Sequence, residues 1–127
     1  MNIEIDSIKD SGIIDKERVV FKANQACELG KYIVALSTSV NENSFSSHLR
    51  NTFWFPDKEL KVGDLVVLYS KKGDKSSIVN EDGSNTHFYY WGLDNPLSAT
   101  SKACIVLLET SWITKNVPIQ EEKATTL

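Results

Sequence analysis

The sequence predicts an all-β domain of about seven short strands, packed as a two-sheet sandwich or closed part of the way into a barrel. Three observations lead there. Apolar and polar residues alternate with period two in several segments, as in Ile3-Glu4-Ile5-Asp6. Clusters rich in Gly, Asn, Asp, Ser and Pro separate those segments. No stretch keeps a helical apolar period for three turns, and the sole helical candidate is a short one within 41–50.

Taken in order, residues 3–9 place Ile3 and Ile5 on one face, and Asp10-Ser11-Gly12 closes the strand. Residues 18–23 repeat the pattern with Val19, Phe21 and Ala23 on one face. Residues 31–39 form a longer strand whose apolar run, Tyr32 to Leu36, suggests partial burial on both faces. The polar, serine-rich segment 41–50 reads as a loop anchored by Phe45 and Leu49.

Residues 51–70 then hold two apolar strands, Thr52 to Phe55 and Leu65 to Tyr69, on either side of a proline-and-charge turn. They are expected to lie side by side, the second in a central position, because both its faces are apolar. Lys71 to Thr86 is a long turn-rich stretch, or a protruding hairpin with its tip near Gly73-Asp74 or Asp82-Gly83. A second aromatic strand follows at His87 to Trp91, and a β-branched apolar strand at Ala103 to Thr110. Residues 1–114 are expected as one domain, with Trp112 and Ile113 finishing its body. Residues 115–127 are expected as a flexible polar tail.

The 127 residues suffice for a hydrophobic core without metal or disulfide support. An apolar content of 41% and a charged content of 24% are ordinary for a soluble globular chain. No apolar run approaches the ~20 residues of a membrane helix, and the start lacks the apolar block of a secretory signal. A cytoplasmic protein without membrane contact is the expectation. The formal charge of -3 argues against a general phosphate-backbone binder. Cys27 and Cys104 are expected as reduced thiols, since Cys27 sits in a polar turn and Lys102 stands where a tyrosine corner would place Tyr.

No residue pattern specifies a reaction, and no enzyme is expected. The two histidines, His48 and His87, are read as surface residues. Ser46 and Ser47 adjoin His48, but no Gly-x-Ser-x-Gly elbow is present. The two Cys and two His are each isolated, which excludes a zinc set. In the oxygen-rich segment 80–85, placing Gly83 at the sixth position of a calcium loop puts Ile78 at the first ligand. No Gly-rich phosphate loop is present, so neither cofactor nor metal is expected.

The aromatic runs Phe53-Trp54-Phe55 and Phe88-Tyr89-Tyr90-Trp91 must show rings on both faces of their strands. With Phe53, Phe55, Phe88 and Tyr90 inward, Trp54, Tyr89 and Trp91 point outward. Those three form the expected binding surface, since large outward aromatics suit interfaces and stacking sites. Lys71, Lys72 and Lys75 are expected beside it. The leading expectation is a small non-enzymatic interaction module with a protein partner, a second copy of the chain included. The alternative is a binder of a ligand or of single-stranded nucleic acid, stacking rings on the same aromatics. An inhibitor of a host system, carried by a phage or mobile element, also fits so small a module.

Glu17-Arg18-Val19-Val20-Phe21, then Gly30-Lys31-Tyr32-Ile33-Val34, is similar to the opening pair of strands in the lamin-tail-like domain family, a resemblance in order of features over about residues 17–110. Phe55-Pro56-Asp57, Gly63-Asp64 and Leu65 to Leu68 follow its order of aromatic strand, turn and apolar strand, and Ile105 to Leu108 matches its late strand. The length of Lys71 to Thr86 and the aromatic richness after it depart from the pattern. The resemblance implies an immunoglobulin-like sandwich that serves attachment or interaction, and it implies no catalytic activity.

Overall fold

The computed structural model describes residues 1–99 and 101–120. Among them are eleven strands, two single 3-10 turns and no α-helix. The strands are β1 (Ile3–Lys9), β2 (Arg18–Ala23), β3 (Cys27–Glu28), β4 (Tyr32–Asn41), β5 (Ser44–Phe45) and β6 (Arg50–Trp54). They continue with β7 (Glu59–Leu60), β8 (Leu65–Tyr69), β9 (Ser76–Val79), β10 (Asn85–Tyr90) and β11 (Ala103–Glu109).

A five-stranded sheet runs β1-β2-β8-β10-β9, with β8 and β10 parallel and every other pair antiparallel. In the second sheet β4 is the central strand. It pairs with β11 along one side, and with β6 and then β5 along the other. The short strands β3 and β7 pair only with each other.

The seven strands expected from periodicity are all present, and β8 does lie in the middle of its sheet. Its two apolar faces explain this: Val66 and Leu68 enter the core, while Val67 pairs Val20 on the other side. The expectation that β6 and β8 lie side by side is corrected. β6 belongs to the β4 sheet and β8 to the five-stranded one. Pro56 has no N–H for a ladder, so the chain leaves β6, lays β7 against β3 and buries Leu60 before it crosses to the other sheet. Segment 41–50 holds no helix: the chain makes a tight β4–β5 hairpin and then runs as the expected loop to β6, with Phe45 exposed rather than anchored. Of the two readings of 71–86, the hairpin is the one observed, β9 and β10 turning at Asp82-Gly83 with Gly83 at φ 86°.

One core joins the two larger sheets. Val19, Phe21, Val66, Leu68 and Tyr89 come from the first, and Tyr32, Val34 and Leu36 from the second. Phe55 fills the space between them, edge-on to Phe21 at 5.7 Å, Phe53 at 5.3 Å and Tyr89 at 5.4 Å. Each such pair adds about 0.5–1.5 kcal/mol beyond area burial, so this cluster helps to fasten the two sheets together.

Cys27 and Cys104 are separate free thiols on β3 and β11. Residues 111–120 carry no regular structure and are exposed throughout, so Trp112 and Ile113 stand outside the body they were expected to finish. The 121–127 part of the expected tail lies outside the described residues.

Candidate functional site

Of the aromatics expected to face outward, Trp54 does so. It is 47% exposed, and its indole Nε1 donates a 2.7 Å hydrogen bond to the Gly30 carbonyl. Trp112, 61% exposed, packs edge-on against it at 5.6 Å between ring centroids. The bond to Gly30 fixes the Trp54 ring, and Trp112 adds a second, untethered ring to this apolar feature on the solvent side of the β4 sheet.

Tyr89 and Trp91 are corrected: both turn inward. Tyr89 is 5% exposed, and Trp91 packs on the core with its ring 6.5 Å from Phe53. The phase of β10 is set by its parallel pairing with β8, which places Tyr89 beside the buried Leu68 and Tyr90 beside Tyr69. Phe88 and Tyr90 therefore occupy the other face. There Tyr69 stacks on Tyr90 at 5.3 Å and on Phe88 at 6.5 Å. Arg18 and Lys71 lie over the Tyr69 ring, 5.9 and 5.1 Å from its centroid. Gly73 rests on Tyr90 so closely that a Cβ there would come within 2.5 Å of the ring.

The six expected binding residues thus do not form one site. Trp54 marks the tryptophan surface, Trp91 belongs to the core, and Lys71 caps the outer aromatic ladder. Lys72 sits at an exposed rim, 3.7 Å from Asp94. Lys75 and Tyr89 do meet: with Asp57, Lys58, Ser76 and Ser77 they line a cleft of about 220 Å³ between β9 and the chain just before β7.

Beneath this cleft runs a polar line absent from the sequence expectations. His87 is buried, which corrects its reading as a surface residue; His48 is exposed as expected. The Nδ1 of His87 is 2.7 Å from Ser77 Oγ, and its Nε2 is 3.4 Å from the buried Asp64 carboxylate. With the ring proton on Nε2, His87 donates to Asp64 and accepts from Ser77. Asp64 also accepts from the backbone amides of Lys61 and Asn85. Burial pushes the Asp64 carboxyl up, but the amides of Asn85 and Lys61, together with His87, outweigh it and hold the group below its ordinary value. The line pins the edge strand β9 through β10 to the start of β8.

Nearby, Glu28 accepts from the amides of Gly30 and Lys58 and so fixes the turn that forms the other cleft wall. Among the described residues, no three His, Cys, Asp or Glu side chains stand close enough to hold a metal ion. No helix among them is long and apolar enough to cross a membrane. No known protein-family model matches this chain, and no curated protein is recognisably similar to it in sequence.

Proposed function

We propose that this chain is a non-enzymatic protein-interaction module, an immunoglobulin-like sandwich of the lamin-tail kind whose contact surface centres on Trp54 and Trp112. Two sheets sharing one aromatic core support the sandwich part of this reading. The observation that carries the function is the tryptophan pair itself. Two indoles lie edge-on and half in solvent, one of them already immobilised by its bond to Gly30. A preorganised indole loses little conformational freedom on binding, which makes it a suitable anchor for a partner's apolar pocket.

A photo-crosslinking residue at position 52, on the face of β6 that Trp54 occupies, tests this against the same residue at position 4 in the other sheet. The expected result in cells is a discrete protein adduct from position 52 alone, lost when Trp112→Ala is added. Equal adducts from both positions, or an adduct indifferent to Trp112→Ala, would overturn the reading. Sedimentation of the purified chain shows whether the partner is a second copy.

The outer ladder of Tyr69, Phe88 and Tyr90, with Arg18 and Lys71 above it, favours the second reading, a stacking surface for single-stranded nucleic acid. That reading requires salt-sensitive retention on a single-stranded oligonucleotide, abolished by Phe88→Ala and weakened by Lys71→Ala. Retention unchanged in both variants would sink it.

A further inference from the structure

We infer that the cleft between Lys58 and β9 is a binding site for an oxyanion, a phosphate or carboxylate group, held by the ammonium groups of Lys58 and Lys75 and the hydroxyl of Tyr89. The site is separate from the tryptophan surface and stands or falls independently of it.

Tyr89 is the key residue. Its ring is locked in the core against Phe53 and Phe55, yet its hydroxyl has no hydrogen-bond partner among the described residues. A phenol that is 5% exposed and lines a cleft spends its remaining surface on that cleft. Burial, and then the nearby Glu28, raise its pKa, so it stays protonated at neutral pH and offers an O–H donor. The hydroxyl meets solvent in the cleft, so a ligand acceptor there takes the place of water on an already positioned donor.

Charge around the cleft selects the kind of acceptor. Neither Lys58 nor Lys75 is in an ion pair with a described residue. Of the nearby carboxylates, Asp57 is itself in the cleft lining and Glu28 is near enough to raise the Tyr89 pKa, but both have other contacts. Glu28 is held by two backbone amides, and Asp57 Oδ1 lies against Gly30, only 2.1 Å from where a Cβ on that glycine would stand. Ser77 is tied to His87, which fixes β9 and hence the floor of the cleft. Two lysines outside any ion pair with a described residue and one phenolic donor line a space that fits a small anionic group with a few carbon atoms.

The test is a titration of the amide NMR spectrum with inorganic phosphate and, separately, with acetate, at constant ionic strength kept by chloride. Saturable shifts confined to residues 57–58, 75–77 and 89 are expected with at least one of the two anions, and the one that saturates identifies the group. Tyr89→Phe keeps the core ring and removes only the hydroxyl. It is expected to weaken binding by about tenfold, as is Lys75→Ala. Shifts that spread over the surface and track chloride equally, or affinities unchanged in both variants, would overturn the assignment.

Discussion

The Glu17 carboxylate accepts a hydrogen bond from the Ser70 hydroxyl at 2.5 Å, although 53 positions separate the two residues in the chain. Glu17 is fully buried and also accepts from the amides of Gly12 and Leu97, both at 2.8 Å, so one side chain gathers three loops at the end of the five-stranded sheet. No cation pairs with it among the described residues, and the three donors are what satisfy the buried carboxyl oxygens. Glu17→Gln keeps the shape but turns an NH2 group toward one of the two amides, leaving that donor unsatisfied. Chemical denaturation should show a loss of about 1–3 kcal/mol. A loss near zero would mean that water already serves these loops.

Asp64 links stability to acid. Its folded pKa lies below the ordinary 3.8, so the carboxylate stabilises the native state at neutral pH and above 3.8. That contribution fades as pH falls from 3.8 through the lower folded value. At pH 7, Asp64→Asn should cost about 1–3 kcal/mol, since one of the Lys61 and Asn85 amides loses its acceptor. The gap between wild type and Asp64→Asn should then narrow below pH 3.8. A gap constant from pH 7 to pH 3 would show that the Asp64 charge is not what holds this corner.

Strand existence was legible because half-buried strands such as β1 and β2 advertise themselves by alternation. The phase of β10 was not. Phe88, Tyr89, Tyr90 and Trp91 carry no apolar–polar contrast, so nothing local says which rings face inward, and the parallel partner β8 decides it. The one usable signal was His87, which shares a face with Tyr89 and Trp91 and becomes a tied interior group. Nothing in the sequence marks Glu17 and Asp64 as buried carboxylates, and only the loops they gather reveal their role. Two-residue strands such as β3 and β7 are too short to hold a period at all.

Tyr32 should give a mirror-image response in alkali. Burial, together with the hydrogen bond its hydroxyl donates to Glu109 at 2.8 Å, pushes its pKa from 10.0 to about 12. The neutral phenol is the form the fold favours, so its stabilisation is complete below pH 10 and is lost as pH rises towards about 12. Tyr32→Phe removes that group and should cost about 1 kcal/mol at pH 7. Between pH 10 and 12, wild type should lose stability faster than Tyr32→Phe, which subtracts the titration that both share. Parallel curves would place the Tyr32 hydroxyl in contact with water.

The tryptophan pair separates a structural role from a binding one by the two rings' unequal ties. Trp54→Phe keeps an aromatic ring but leaves the Gly30 carbonyl without its indole donor, and should cost about 1 kcal/mol. Trp112 is 61% exposed and lies in a segment with no regular structure, so Trp112→Ala should change stability by less than about 0.5 kcal/mol. Thermal melts of the two variants measure this directly. If Trp112→Ala costs as much as Trp54→Phe, the second indole is a cap that completes the β4 sheet, and the exposed pair loses its standing as a binding anchor. With the expected inequality, Trp112 adds exposed apolar area that the fold does not use, which is the surface an interaction module presents to a partner.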